Sequence, residues 1–233
     1  MNFLKIFLSA GLSFFIAIGV ALLIEKLGGA LGSVIGTIPS TLIPPIYLIL
    51  SDMTQTREYR TDSTLATVFG IFATDLLFMP TWKILPPRLP KTWKNGKKVL
   101  VTTIVAIFFW FLGAVFIVSL QSFAKSMGVK MWTFSICTVL VSLLFGICLC
   151  WRLPPTPTGK NKVKWYTHLC RGIAAFCTLF ISGILSQSGL GVVAGAMATF
   201  PALFLTAMVS VSLSQRAEVA TGAIGPLILG SIS

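Results

Sequence analysis

The chain has 233 residues, of which 55% are hydrophobic and only 10% are charged, and its formal net charge is +12. Soluble domains carry roughly a quarter charged residues, because their surface must stay in water. So few charges exclude a soluble globular protein and predict one membrane domain over residues 1–233, with the lipid bilayer as its surroundings. At roughly 20 apolar residues for each crossing, the chain has room for about seven to nine spans.

Apolar runs separated by polar segments predict an all-α, polytopic bundle of eight transmembrane helices, with seven as the alternative. The predicted spans are 2–24, 30–50, 64–82, 99–123, 131–151, 166–185, 189–213 and 217–233. The eighth is only just long enough to cross, and it contains Pro226. A polar hinge at 51–63 follows the second span. A connector at 83–98, expected to be extended because it contains three prolines, follows the third.

Most of the positive charge lies in two connectors, 83–98 and 152–164. Basic residues in short loops mark the cytoplasmic side of a membrane protein, so both connectors are predicted to be cytoplasmic. Attraction to anionic lipid headgroups, worth about 1 kcal/mol per basic residue near the surface, is a second expected contribution. This clustering in inter-span loops favours a lipid surface over nucleic acid as the partner of the basic residues.

An internal repeat relates the second and seventh predicted spans. A gapless shift of 159 positions pairs identical residues at Leu31 and Leu190, Gly32 and Gly191, Val34 and Val193, Gly36 and Gly195, Ser51 and Ser210, and Arg57 and Arg216. The predicted repeats are 1–83 and 165–233, with linker spans over 84–164. Because the copies are five spans apart, the second enters the membrane from the opposite side, as in inverted-topology transporters. Chance identity in an apolar sequence is the alternative.

Prolines interrupt the two spans that the repeat relates. Pro39 lies in the second span and Pro201 in the seventh, near Gly36 and Gly195 respectively. A proline removes a backbone hydrogen bond, and in lipid the freed carbonyl group needs a partner from protein or water. These four residues are therefore candidates for a transport site. The alternative role for the glycines is close helix packing through their Gly-x-x-x-Gly spacing.

The same pattern resembles the GlpM family of small inner-membrane proteins. The family pattern runs Ala-Gly-x-x-Pro-x-x-Pro, then an apolar half-span, then Ser-x-Arg with an acid, a basic residue and threonines. The matching residues are Gly36, Pro39, Arg57, Glu58, Arg60 and Thr61 in the first copy, and Ala194, Gly195, Pro201, Ser214, Arg216 and Glu218 in the second. Leu42 and Ala198 replace one proline in each copy. The resemblance covers about 45 residues in each half and implies fused repeats, but no activity.

Asp75 is the strongest single candidate for a functional residue. It lies well inside the third predicted span. An ionised carboxylate costs about 2.5–3.5 kcal/mol at the centre of a membrane helix, so such acids usually face a partner, a cavity or a proton path. We hypothesise that Asp75 binds a cation or carries a proton. The alternative is a structural aspartate, hydrogen-bonded by Thr74 or by a hydroxyl group of a neighbouring span.

A second candidate set consists of the interfacial charges Arg57, Glu58, Arg216 and Glu218. These residues could gate access by forming alternating ion pairs at opposite mouths. The alternative, which we favour, is that they cap helix ends at the membrane interface.

The motifs of soluble enzymes and metal proteins are missing from the sequence. It contains no nucleophile elbow, no phosphate-binding glycine loop, no Cys-x-x-Cys spacing and a single histidine, His168. We therefore expect no enzyme, no metal site and no cofactor. The leading interpretation is a transporter or channel-like permease for a small ion or small solute. The alternative is a scaffold or assembly factor that packs partner helices on its Gly-x-x-x-Gly faces, and a homodimer is compatible with either.

Overall fold

The computed structural model describes residues 3–27, 43–150 and 164–214, together with Ile224, Ile228 and Ser231. Every regular element within these ranges is helical, which confirms the all-α class. The helices are α1 (Phe3–Leu27), α2 (Ile43–Leu50), α3 (Arg57–Arg88), α4 (Asn95–Ser126), α5 (Met131–Cys150), α6 (Trp165–Gln187), α7 (Gly191–Ala198) and α8 (Ala202–Ser214). Within α3, a π-helical turn at Thr74–Phe78 and a 3-10 turn at Pro86–Arg88 interrupt the regular helix.

Five of these helices, α1, α3, α4, α5 and α6, are long and apolar enough to cross a membrane. The described residues therefore do not reproduce the predicted count of eight. The seventh predicted span is divided into the short helices α7 and α8. Most of the eighth and the first part of the second lie outside the described residues.

The boundaries of α3 correct two sequence predictions. The helix begins at Arg57 rather than at residue 64, so the polar hinge is shorter than expected. The reason is an N-cap, because the Thr56 hydroxyl accepts a hydrogen bond from the Tyr59 amide at 3.2 Å and Glu58 lies in the first turn. At its other end α3 continues through Pro86–Arg88, so part of the supposedly extended connector is helical. The prolines there occupy the first turn, where no N–H is needed.

Side-chain contacts fix the directions of the helices. α1 and α6 are antiparallel, because the Phe3 ring packs on Phe180 at 5.5 Å between centroids while Phe14 lies beside Gly172. The Tyr59 hydroxyl, at the start of α3, donates to the Ser186 carbonyl oxygen near the end of α6 at 3.4 Å. We call the end of the bundle that holds Phe3, the start of α3 and the end of α6 the Arg57 end.

The opposite end, where α3 finishes and α4 begins, we call the basic end. α7 and α8 together run towards it from the Arg57 end, since Asn95 Nδ2 at the start of α4 donates to the Ser212 carbonyl oxygen at 2.7 Å. α5 ends and α6 begins at the basic end as well. Both basic connectors therefore lead from this end, and six basic and no acidic residues lie within 83–98.

The core of the bundle lies between α3, α4 and α8. Its buried apolar side chains include Phe78, Trp82, Trp110 and Met208, and Ile224 packs among them. A second apolar cluster lies nearer the Arg57 end, between α3, α4 and α5. Asp75 lies among these elements, so the fold surrounds a carboxyl group with packed helices.

Candidate functional site

Asp75 lies near the middle of α3, inside the π-helical turn Thr74–Phe78. In this turn the Met79 amide donates to the Thr74 carbonyl oxygen, five residues earlier. Pro80 explains the wide turn, because it has no N–H and its ring would clash with the carbonyl group four residues earlier in a regular helix. Asp75 is fully buried. It is roughly 20 Å from the nearer end of α3 at 1.5 Å per residue.

Hydroxyl groups surround the Asp75 carboxyl group. Ser231 Oγ lies 2.8 Å from Asp75 Oδ1 and 2.7 Å from the Ile228 carbonyl oxygen. A serine hydroxyl has one hydrogen, so it cannot donate to both acceptors at once. Both contacts are hydrogen bonds when the carboxyl group is protonated and donates to Ser231 Oγ, which then donates to the Ile228 carbonyl oxygen. This arrangement suits a carboxyl group that holds a proton.

The Asp75 carboxyl group also lies beside α5. Ser142, from the middle of α5, lies next to the carboxyl group. Within the described residues, Asp75 Oδ2 and Ser142 Oγ are both buried and have no partner other than each other. Buried polar atoms are nearly always paired, with water where protein supplies no partner. This side of the carboxyl group can therefore accept a hydrogen bond from Ser142 or from a water molecule, or bind a small cation.

A second helix interruption lies between α7 and α8, where the sequence predicts one at Pro201. α7 ends at Ala198 and α8 begins at Ala202. Pro201 cannot donate a backbone hydrogen bond, so a continuous helix would lose one here. The Thr199 hydroxyl donates to the Ala196 carbonyl oxygen at 2.7 Å and satisfies part of the exposed backbone.

The two interruptions meet at Trp110 of α4. Its Nε1 donates to Thr74 Oγ1 at 3.0 Å and lies 3.3 Å from the Gly70 carbonyl oxygen. The Trp110 ring also packs edge-on against Phe200, at 5.0 Å between centroids. Thr199 lies directly against Gly70, where any side chain larger than hydrogen would overlap its hydroxyl group. One buried indole therefore joins the π-turn of α3 to the break between α7 and α8.

Gly191 and Gly195 allow α7 to pack closely on the first half of α3. A Cβ atom at Gly195 would overlap the Ser63 carbonyl oxygen and lie 3.0 Å from the Ala66 side chain. A Cβ atom at Gly191 would overlap the Tyr59 and Ser63 side chains. The close-packing role considered for these glycines is therefore observed, and their shared face is covered by α3.

Arg57 and Glu58 lie at the exposed start of α3, and Lys125, which the sequence did not single out, lies beside Glu58. Lys125 Nζ, near the end of α4, is 3.2 Å from Glu58 Oε1 and 2.6 Å from Asp62 Oδ2. Glu58 thus forms an interhelical ion pair with α4. Gly36, Pro39, Arg216 and Glu218 lie outside the described residues. No three His, Cys, Asp or Glu side chains gather into a metal-binding group in the part of the chain that the structure describes.

The residues around Asp75 that sequence reasoning missed are Trp110, Ser142 and Ser231. Only Ser142 had a usable signal, since it shares a helical face with Ser135 and Thr138. Ser231 reaches Asp75 across 156 positions, and no local pattern indicates that contact.

The described residues form an all-helical bundle with five helices long enough to cross a membrane, which is compatible with an integral membrane protein. No protein-family model, curated protein or solved structure matches the chain. The resemblance to the GlpM family therefore has no support beyond the residues quoted for it above.

Proposed function

We propose that the protein is a membrane transporter or channel-like permease for a small ion or small solute, with Asp75 as its proton- or cation-binding residue. The observation that supports this most is the position of the carboxyl group. It is buried in mid-helix, its Oδ2 has no partner among the described residues other than Ser142, and it lies where two interrupted helices meet. Interrupted helices near the middle of a bundle are the usual setting of transport sites.

The energetic cost of burying a charged carboxylate supports a role in transport for the binding and release of a proton or cation at Asp75. Holding an ionised carboxylate in mid-membrane costs about 2.5–3.5 kcal/mol on insertion scales. A proton or a bound cation removes most of that cost, so the occupied state is favoured inside the bundle. Release then requires access to water. Asp75 is therefore stable in the closed bundle when it holds a proton or a cation, and it is ionised when water reaches it. Such a residue can couple the binding of its ligand to the opening of a water path.

The proposed inverted repeat gains support from helix directions. The 159-residue offset places α1 on 162–186, which nearly coincides with α6, and the two helices are antiparallel. α2 falls on 202–209, inside α8. One part departs from the scheme, since Ser51 follows α2 in a turn whereas Ser210 lies within α8. The hinge is therefore not repeated in the same form.

The alternative, a scaffold that binds partner helices on Gly-x-x-x-Gly faces, is less well supported. In the second copy this face is already covered by α3 within the same chain. A partner helix would have to displace α3 to reach Gly191 and Gly195.

The basic end is proposed to face the cytoplasm and to contact anionic lipid headgroups. The segment 83–98 carries six basic residues without an acid, whereas the Arg57 end mixes both signs around Glu58 and Lys125. Native mass spectrometry in mixed micelles tests the lipid contact. We expect anionic lipids to be retained over zwitterionic ones, and Lys94, Lys97 and Lys98 changed together to Gln to reduce the difference. Equal retention of both lipids would remove this proposal.

Reconstitution of the full chain into liposomes tests the transport proposal. A trapped pH-sensitive dye reports proton entry after a potassium diffusion potential is imposed, first without and then with a panel of external cations and small neutral solutes. We expect entry faster than in empty liposomes under at least one condition. If every condition matches empty liposomes while the protein is correctly folded, the scaffold alternative becomes the better account.

A further inference from the structure

Four buried polar atoms with unfilled hydrogen-bonding capacity lie along one seam of the bundle. Among the described residues, Gln121 Oε1 and Ser135 Oγ make no hydrogen bond, Ser142 Oγ and Asp75 Oδ2 have no partner other than each other, and all four side chains are almost completely buried. Gln121 belongs to α4, the two serines to α5, and Asp75 to α3. These helices pack against one another, so the atoms share an interface rather than being scattered.

The two serines differ from several other helical serines in the described part of the chain. Ser63, Ser119 and Ser122 donate to a carbonyl oxygen four residues earlier in their own helix, at 2.7–3.1 Å. That local bond is the default for a serine in an apolar helix. Ser135 and Ser142 do not make it, and neither does Ser9 of α1. The Ser142 hydroxyl faces Asp75, and the Ser135 hydroxyl is left for another acceptor or donor.

The order of these residues leads from the Arg57 end to Asp75. Gln121 Nε2 donates to Met131 Sδ at 3.3 Å, which places Gln121 beside the first turn of α5. Ser135 follows Met131 by about one turn and Ser142 by about three, so the row extends roughly 16 Å along α5. Ser142 lies next to the Asp75 carboxyl group. At the outer end, Lys125 lies one turn beyond Gln121 and forms its ion pairs with Glu58 and Asp62.

An apolar cluster lies between the same three helices, and it includes Met131 beside Gln121. The Phe69 and Phe134 rings pack at 5.3 Å between centroids, and Leu65 and Ile117 belong to the same cluster. A narrow apolar passage with occasional polar groups holds water in single file and can close by dewetting. Lone buried polar atoms in such a passage take water as their partner.

We propose that Gln121, Ser135 and Ser142 line a narrow water-filled path that carries protons between the Arg57 end and Asp75. This proposal depends on the proposed function, because the path is the route by which protons reach Asp75. Its ligand is water together with the protons that water conducts. The ion pairs of Lys125 lie at its outer mouth.

Cysteine accessibility tests the path without any transport measurement. In a background lacking the five native cysteines, Ser135→Cys and Ser142→Cys are treated with a small cationic methanethiosulfonate, one side at a time, with a thiol scavenger on the other. Leu140→Cys is the matched control, because Leu140 lies on the outer face of α5 and is 51% exposed in the bundle. Thiols react as thiolates, which form in water and not in hydrocarbon, so we expect both serine positions to react roughly tenfold faster than the control. Reaction should occur from the Arg57 end.

Radiolytic footprinting of the wild-type protein gives the second measurement, in case the variants fold poorly. Hydroxyl radicals generated from bound water oxidise methionine sulfur nearby. Met131 and Met79 are both buried, but only Met131 contacts Gln121. We expect Met131 to be oxidised several-fold faster than Met79.

The outcomes separate the path from the transport proposal. Labelling from the Arg57 end, or preferential oxidation of Met131 where the variants fail to fold, supports the path even if no proton flux is found. Labelling only from the basic end overturns it. Failure to label either folded serine variant, with equal oxidation of Met131 and Met79, also overturns it, even if proteoliposomes transport protons.

Discussion

Replacing Gly195 with alanine tests whether the close approach of α7 to α3 holds the broken span in place. The new Cβ atom would overlap the Ser63 carbonyl oxygen and lie 3.0 Å from the Ala66 side chain. The Ser63 oxygen belongs to the backbone and cannot rotate away, so α7 must move outwards. Gly11→Ala is the matched control, since a Cβ atom at Gly11 in α1 meets nothing within 4 Å.

The expected size follows from the difference between the two variants. Both exchange a helical glycine for alanine and gain about 0.5–1 kcal/mol of helix stability, which cancels in the comparison. Overpacking against a rigid neighbour costs about 1–3 kcal/mol. In a chain of this size each kcal/mol changes the melting temperature by about 2–4 °C. Gly195→Ala should therefore melt about 2–12 °C below Gly11→Ala.

Size-exclusion chromatography of heated, detergent-solubilised protein measures these melting temperatures. A fluorescent tag allows all variants to be compared at equal loading. Equal melting temperatures for Gly195→Ala and Gly11→Ala would show that α7 and α3 are not in close contact, and the site built on their meeting would lose its framework.

Three further outcomes are expected. Trp110→Phe removes the indole donor to Thr74 while keeping most of the ring, so it should lower the free energy of unfolding by about 1–2 kcal/mol; Trp132→Phe, on the outer face of α5, should have no effect in the same melting assay. Dicyclohexylcarbodiimide, an apolar reagent for protonated carboxyl groups, should modify Asp75 before any other acid, and peptide mass spectrometry would locate the modification. Modification of surface acids alone would contradict a protonated Asp75. Lys125→Ala should lower stability by no more than about 1 kcal/mol, because the lysine is half exposed and its partner Glu58 is largely exposed, and the difference from wild type should shrink in 1 M salt.

The helices were largely predictable from the sequence because their lengths and apolar composition are local properties. α4, α5 and α6 fall within a few residues of the predicted spans. The start of α3 was predicted wrongly, because the charged residues after Thr56 were interpreted as a polar hinge. The same residues form a helix N-terminus, with Thr56 as the N-cap and Glu58 in the first turn.

The site was only partly predictable, because its partners come from distant parts of the chain. Asp75 was identified from its charge in an apolar run and Pro201 from its missing N–H. The π-turn before Pro80 and the contact with Ser231 depend on tertiary packing, which a single sequence without homologues does not reveal. The ion pair between Lys125 and Glu58 could not be predicted either, because it follows only from the antiparallel packing of α3 and α4.

Proton flux through Asp75 variants tests the central claim most directly. Wild type, Asp75→Asn and Asp75→Glu are reconstituted at equal density with a trapped pH-sensitive dye, and proton entry is followed after a diffusion potential is imposed. We predict entry in wild type, partial entry with Asp75→Glu and none above empty liposomes with Asp75→Asn. A folded Asp75→Asn variant that carries protons at the wild-type rate, with the same pH dependence, would contradict the account.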